Sequence, residues 1–175
     1  TANMVVDEIN KAGGIKGRKL KLVYYDTQGD ATKAVQAATR LIKEDRVNAI
    51  IGPSTTGETM AVIPVVENAG IPLISCAAGI KITEPVKKWV FKTAQNDSLA
   101  VERIYDHLKK RNVSNVAILT VSDGFGASGR EQLKLRAKAF GITIVSDEIY
   151  GPNDTDMTAQ LVKIRGSKAQ AIICW

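Results

Sequence analysis

Residues 49–79 read AIIGPSTTGETMAVIPVVENAGIPLISCAAG, and their pattern is the most informative about the fold. Three apolar residues form a short buried strand, and a Gly-Pro turn leads into the hydroxyl cluster at 54–56. An apolar periodic helix follows until Gly70 ends it, and a second strand at 72–74 runs into the small-residue loop 75–79. The pattern predicts a strand–helix–strand unit of a parallel sheet.

Both strands of this unit end in loops of Ser, Thr, Gly and Ala, and ligands of open parallel sheets bind at such ends. A helix N-terminus there offers unpaired N–H groups and a partial positive charge. Ser54, Thr55 and Thr56 at the helix start, with Ser75 in the second loop, therefore predict a site for a carboxylate or phosphate. The alternative is that Thr55 or Thr56 only caps its own helix.

Composition excludes several functional classes. The chain has 175 residues, 45% of them hydrophobic, and a net charge of +6 whose Lys and Arg residues are scattered over predicted helix faces. That distribution is typical of a solvated surface, so we expect no nucleic-acid partner. The single histidine, His107, supports neither a zinc site nor a Ser-His triad. Asp26, Asp123 and Asp147 stand apart as isolated carboxylates, so we predict no enzyme and no cofactor.

The two cysteines, Cys76 and Cys174, lie far apart and lack CxxC spacing. Such residues are more often buried small hydrophobes than a disulfide or a metal pair. We therefore predict two unpaired, buried thiols.

Strands and helices alternate along the rest of the chain, which predicts the α/β class with parallel sheets. A crossing at 89–98 separates a first lobe, residues 1–95, from part of a second, residues 96–175. The chain starts within an amphipathic helix and stops within a strand, so we expect it to be truncated at both ends. The other predicted strands are 20–25, 89–93, 116–121, 142–149 and 169–174, and the other helices are 31–44, 99–111, 129–140 and 157–165.

Residues 124–129, GFGASG, fit the G-x-G-x-x-G pattern of dinucleotide-binding turns, with Asp147 further along. Ser122 and Asp123 separate the strand from the first glycine, and Asp123 places a negative charge where phosphates bind. Three interpretations remain: a dinucleotide site, a flexible strand-to-helix turn, or a cleft-edge loop that presents Phe125.

Three blocks of sequence carry a family resemblance that covers essentially the whole chain. They are DEINKAGGIKGRKLKLVYYDTQGDATKAVQAATRLI at 7–42, AIIGPSTTGETMAVIPVVENAGIPLIS at 49–75 and WVFKTAQND at 89–97. The chain resembles the periplasmic substrate-binding proteins of branched-chain amino-acid ABC transporters, the leucine/isoleucine/valine-binding family with the type I periplasmic fold. The resemblance implies two Rossmann-like lobes that close on a ligand. It also implies a first strand before Thr1, absent here, that would lie in the sheet between the strands at 20–25 and 49–51.

The resemblance also implies a function. The protein would be the periplasmic or extracellular solute-binding component of an ABC importer, lipid-anchored or free, with a membrane permease as partner; no signal peptide stands in this chain. Its ligand would be a small carboxylate, above all a branched-chain amino acid. The alternatives are an aromatic or other organic carboxylate, or a ligand-sensing regulator of the same fold.

Residue by residue, the family's carboxylate-binding serine matches Thr56, and its backbone site for ammonium and carboxylate matches Ala77, Ala78 and Gly79. The aromatic residue that closes over the ligand matches Phe125. Two departures are evident: Gly79 stands where amino-acid binders commonly have Thr, and Cys76 replaces the usual Pro.

Overall fold

The computed structural model describes residues 1–175 and contains two parallel three-stranded sheets, which confirms the predicted α/β class. The first sheet has the order β1-β2-β3 and the second has the order β5-β4-β6. The elements are α1 (Ala2–Lys11), α2 (Ala31–Lys43), β1 (Ile50–Ile51), α3 (Thr56–Ala69), β2 (Leu73–Ser75), β3 (Val90–Lys92), α4 (Asp97–Lys110), β4 (Asn115–Val121), α5 (Gly124–Ala137), β5 (Thr143–Tyr150), α6 (Thr158–Gly166) and β6 (Ala171–Cys174).

Each sheet has its own hydrophobic core. Val66 and Leu73 are fully buried in the first, where α3 packs on β2. In the second, Tyr105 of α4 is fully buried, and its hydroxyl donates to the carbonyl of Leu133 in α5 at 2.8 Å. Burial raises the pKa of Tyr105 to about 12. The sheets share no strand, and the division of the chain at residue 95 stays a prediction.

The predicted strand at 20–25 is wrong for this chain, because these residues belong to no ladder. Leu20 instead exchanges two hydrogen bonds with the side chain of Asn10 in α1, at 2.7 and 2.9 Å. An open cavity of about 230 Å³ is lined by residues 23–25 on one side and by Ile50 and Ile51 on the other. Residues with high β-propensity form a strand only beside a partner, and no strand of residues 1–175 lies next to this segment.

The start of α5 also differs from the prediction, which placed a loop over 122–128. The helix begins at Gly124, because the Asp123 carboxylate accepts a hydrogen bond from the N–H of Gly126 at 2.8 Å. An aspartate N-cap of this kind outweighs the low helix propensity of the glycines.

Both cysteines carry free thiols, but both are exposed, so the prediction that they are buried is wrong. Cys76 follows β2 at the edge of the first sheet, and Cys174 ends β6. His107 is exposed on α4. None of the helices has the length and apolar character that crossing a membrane requires.

Candidate ligand-binding site

The N-terminus of α3 is held by two hydrogen bonds between Thr55 and Glu58. The Thr55 hydroxyl accepts from the N–H of Glu58 at 3.3 Å and donates to the Glu58 carboxylate at 2.6 Å. Glu58 is 3% exposed and also accepts a hydrogen bond from Thr27. The Thr55 side chain thus serves as the N-cap of α3 and stabilises the helix start. Ser54, just before it, is exposed and forms no side-chain hydrogen bond within the protein.

Thr56 joins the two small-residue loops that the sequence singles out. Its side chain is 3% exposed, and its Oγ1 accepts a hydrogen bond from the N–H of Gly79 at 3.2 Å. A hydroxyl has one donor hydrogen besides its acceptor lone pairs, so Thr56 keeps a donor for another group. The predicted residues of helix start and second loop are therefore in direct contact.

The loop after β2 uses most of its polar groups internally. Ser75 is fully buried, and its Oγ lies 2.8 Å from the Thr59 hydroxyl and accepts from the N–H of Ala77 at 3.1 Å. The Ala78 carbonyl accepts from Lys92 Nζ at 2.9 Å and from the N–H of Asp97 at 3.3 Å. Three backbone groups remain without a partner: the carbonyls of Cys76 and Ala77 and the N–H of Ala78.

The N-termini of α3 and α5 face each other at this loop. A Cβ added to Gly124 would lie 2.8 Å from the Cα of Gly57, so the two helix ends touch at their glycines. The N–H groups of residues 56, 57, 124 and 125 have no acceptor within the protein. Two positive helix ends and four unpaired donors converge at one place, and an anion is the ligand that this arrangement favours.

Phe125 opens onto a cavity of about 400 Å³ between the two sheets. The Phe125 side chain is 39% exposed, and its ring centroid lies 5.5 Å from that of Trp175 with a 30° tilt. The cavity is lined by Ala78, Ala94, Gln95, Asn96, Asp97, Ala100, Phe125, Cys174 and Trp175. Of the predicted site residues, Ala78 and Phe125 border this space.

The start of α4 contacts the loop after β2 through its backbone, where the Asp97 N–H donates to the Ala78 carbonyl at 3.3 Å, and it contacts α5 through its side chain. Asp97, 1% exposed at the start of α4, accepts a hydrogen bond from the Ser128 hydroxyl of α5. Burial raises the pKa of Asp97, although the Ser128 hydrogen bond and the Lys92 charge oppose the shift. Lys81 pairs with Glu131 at 2.6 Å across the outside of the cleft. The cleft is therefore closed in this structure.

The glycines of the 124–129 motif are all explained by packing within the protein. Added Cβ atoms would lie 1.8 Å from the Val121 carbonyl oxygen at Gly126 and 2.2 Å from the Trp175 indole at Gly129. Asp147 lies within β5 and is paired with Arg130 at 2.7 Å and with Lys134. These observations disfavour the dinucleotide site. Because Phe125 also borders the cavity, they favour the interpretation as a cleft-edge segment that presents Phe125 over a flexible turn.

Sequence reasoning missed three cleft residues, Asn96, Asp97 and Trp175. The Asn96-Asp97 pair is typical of a helix cap. Nothing in that pattern indicates that the Asp97 carboxylate accepts a hydrogen bond from Ser128 of α5. Trp175 follows an apolar strand, and only the packing of β6 beside β4 brings its ring to Phe125.

The family model described as "Periplasmic binding protein" matches residues 1–175. Among individual proteins, the chain is 30% identical to the Leu/Ile/Val-binding protein homolog 3 of Brucella melitensis over 98% of its own length and 47% of that protein. It is 29% identical to the Leu/Ile/Val-binding protein BraC3 of Rhizobium johnstonii, again over 98% of its length and 47% of that protein.

Solved structures give the same result. The substrate-binding protein LivJ of the branched-chain amino acid transporter of Streptococcus pneumoniae, in complex with isoleucine, matches with a TM-score of 0.86 and 30% identity, covering 99% of this chain and 49% of that one. A type 1 periplasmic binding protein from Bordetella pertussis matches with a TM-score of 0.91 and 26% identity, covering 98% and 48%. The chain thus spans about half the length of the relatives it matches.

Proposed function

This chain belongs to the periplasmic binding protein family, and on that premise we propose that the full protein is the extracytoplasmic solute-binding component of an ABC importer. It binds a small organic carboxylate with an apolar tail, the class that includes leucine, isoleucine and valine. It carries out no chemical conversion, and it delivers its ligand to the membrane permease of the transporter. The site of action is the periplasm or the cell exterior.

One observation carries the proposal: the facing N-termini of α3 and α5 leave four backbone N–H groups unpaired beside the Thr56 hydroxyl. A carboxylate has two acceptor oxygens and one negative charge, and both properties match this arrangement. The free N–H of Ala78 adds a further donor, and the free carbonyl of Ala77 is an acceptor for a ligand ammonium group.

The other predicted site residues fall into two groups: those that shape the site and those that we propose contact the ligand. Thr55 and Ser75 shape the site, since Thr55 caps α3 and Ser75 orients the N–H of Ala77. Gly79 positions the Thr56 hydroxyl. Ser54 is exposed at the helix start, and we propose that it contacts ligand during entry. Phe125 covers the ligand from the α5 side.

Binding in this site requires an opening motion. Gly57 and Gly124 lie in close contact, so a carboxylate can reach the space between them once the elements of the two sheets separate. Closure then removes water and strengthens each polar contact with the ligand. Hinged closure of this kind is a known route to ligand capture in two-lobed binding proteins.

The experiment that tests the proposal is calorimetry of the full-length protein with leucine, isoleucine, valine and simple organic carboxylates. A hydrogen bond to a charged group contributes roughly 1.5–3 kcal/mol, so Thr56→Ala should weaken binding about tenfold to a hundredfold. The matched control is Thr56→Ser, which keeps the hydroxyl and should bind within about threefold of wild type. Wild-type affinity in a folded Thr56→Ala protein would reduce Thr56 to a structural residue, and no binding of any carboxylate would contradict the proposed function.

A further inference from the structure

A run of uncompensated positive charge connects α1 to the segment at 20–25, and the proposed function leaves it unexplained. No acidic residue stands between Glu8 and Asp26, whereas five cationic residues do: Lys11, Lys16, Arg18, Lys19 and Lys21. All five are exposed, and none of them forms an ion pair within residues 1–175. We call residues 11–21 the basic turn. Five like charges without counter-charges create a local positive potential that attracts anionic partners.

The backbone of the basic turn is held by hydrogen bonds and close packing. Ile15 and Arg18 exchange two backbone hydrogen bonds, at 2.8 and 3.0 Å, around Lys16 and Gly17, which both have positive φ. A Cβ added to Gly14 would lie 2.2 Å from the carbonyl oxygen of Arg18, so the two ends of the turn are in contact. The turn therefore fixes the positions from which its cationic side chains extend, and a preorganised surface loses less entropy on binding.

An apolar side chain stands among these charges. Ile15, at the tip of the turn, is 54% exposed. Leu20 and Leu22 are partly buried, whereas Lys19 and Lys21, which alternate with them along the extended segment, are exposed. Segments that lie on a membrane surface combine the same two features, because the apolar group enters the headgroup boundary and the cations meet anionic lipids.

The basic turn is separate from the candidate ligand site. None of residues 11–21 lines the cavity of about 400 Å³ that borders the site. The near end of the following segment is attached to α1, where Leu20 bonds to Asn10, whereas its far end reaches α3, where Thr27 donates to Glu58. Changes in the basic turn therefore leave the polar groups of the ligand site untouched.

From these observations we propose that the basic turn is a docking surface for a phospholipid bilayer that contains anionic lipids. The inference rests on the proposed function, since a protein that delivers its ligand to a membrane permease acts beside a bilayer. Each lysine or arginine near an anionic bilayer strengthens binding about fivefold, so the five cations suffice for weak, reversible attachment. Mobile headgroups need no fixed pattern of partner charges, and Ile15 loses contact with water at the headgroup boundary.

Co-sedimentation of the full-length protein with lipid vesicles tests the proposal. At low salt, vesicles of phosphatidylcholine with about one-third phosphatidylglycerol should bind it at least about tenfold more tightly than pure phosphatidylcholine, and about 0.5 M salt should remove most of that difference. Lys16→Gln and Arg18→Gln should each weaken binding to the anionic vesicles about fivefold, and Ile15→Ser should weaken it as well. The matched controls are Lys109→Gln and Lys110→Gln, exposed cations at the end of α4, which should bind like wild type.

The outcomes separate this inference from the proposed function. No binding to anionic vesicles, equal binding to both lipid compositions, or wild-type binding in all three variants of the basic turn would overturn the docking surface. Binding that requires the permease in the vesicles, with or without anionic lipid, would assign the basic turn to an acidic protein surface and overturn the lipid proposal. Calorimetry of the same variants with the carboxylates named above should give wild-type affinity, because the turn lies outside the ligand cavity. Thermal melting establishes that each variant is folded.

Discussion

At the scale of single residues, the contact between Thr56 and Gly79 explains why this chain has glycine at position 79, where amino-acid binders of the resembled family commonly have threonine. Gly79 has φ −53° and ψ 128°, a conformation open to any residue, so its backbone does not require glycine. An added Cβ would lie 2.4 Å from Thr56 Cγ2, but 3.1 Å from Thr56 Oγ1. The extra methyl of a threonine, where the family has serine, thus occupies the space that a side chain at 79 needs.

The pair can be tested by a double-mutant cycle. Gly79→Ala should destabilise the protein by about 1–3 kcal/mol, because the new methyl overlaps Thr56 Cγ2. In a Thr56→Ser background the same change should cost less by about 1 kcal/mol or more, since the overlapping methyl is gone. Urea unfolding of the four proteins measures the coupling free energy. Equal costs in both backgrounds would show that the two positions are independent.

Two aspartates should respond to pH in opposite directions. Burial raises the pKa of Asp97, so the folded state holds the Asp97 proton more tightly than the unfolded state does. The contribution of Asp97 to the free energy of unfolding therefore falls as pH rises above about 4. Although burial also acts on Asp147, the hydrogen bonds and charges of Arg130 and Lys134 bring its pKa below the ordinary value. Its contribution is therefore present above about pH 4 and is lost as pH falls.

Asparagine substitutions at positions 97 and 147 test these two opposite pH dependences. As pH rises from 3 to 7, the free energy of unfolding of Asp97→Asn should increase relative to that of wild type. Over the same range, the free energy of unfolding of Asp147→Asn should decrease relative to that of wild type by about 1 kcal/mol. Denaturant titrations at several pH values follow both differences. Parallel curves for the two variants would contradict the assigned environments.

At the scale of elements, the contact between α5 and β4 depends on a glycine. An added Cβ at Gly126 would lie 1.8 Å from the carbonyl oxygen of Val121, which is backbone and has no alternative position within the strand. The turn from β4 into α5 therefore brings helix and strand closer together than any side chain permits. This turn also presents Phe125 to the cleft.

Gly126→Ala should cost at least about 3 kcal/mol, because overlap with backbone exceeds ordinary overpacking. Gly166→Ala is the matched control, since an added Cβ at the end of α6 meets nothing within 4 Å. That control should be neutral or stabilise by about 0.4–1 kcal/mol. Thermal melting compares the two variants, and a Gly126→Ala protein as stable as Gly166→Ala would show that β4 and α5 separate easily.

At the scale of the whole molecule, the cleft is held shut by contacts of different strength. The Asp97 N–H donates to the Ala78 carbonyl at the start of α4, and Gly57 meets Gly124 where α3 and α5 touch. Lys81–Glu131 is exposed, with 62% and 48% of the side chains accessible, so its contribution is small and sensitive to salt. This ion pair is therefore suited to bias the opening equilibrium without locking it.

Reversal of one charge should favour the open form. In the full-length protein at low salt, Lys81→Glu places two carboxylates together, and we expect a larger radius of gyration without ligand and a several-fold weaker affinity. The double swap Lys81→Glu with Glu131→Lys should restore both values, and 0.5 M salt should reduce the effect of the single change. Small-angle scattering and calorimetry provide the measurements. An unchanged radius and affinity in Lys81→Glu would contradict a role in closure.

The α/β class, the parallel sheets and the convergence of residues 54–56 with the loop at 75–79 could be predicted from the sequence. These features follow from local periodicity, from Gly70 as a helix stop and from the rule that parallel strands end at one edge. The tertiary structure alone decided which polar groups of those loops stay free, that Thr56 and Gly79 share one space, and that Phe125 meets Trp175. Such facts depend on distances between residues far apart in the chain, and no local pattern of residue types encodes them. The segment at 20–25 shows the same limit, because propensity favours a strand while only a neighbouring strand can complete one.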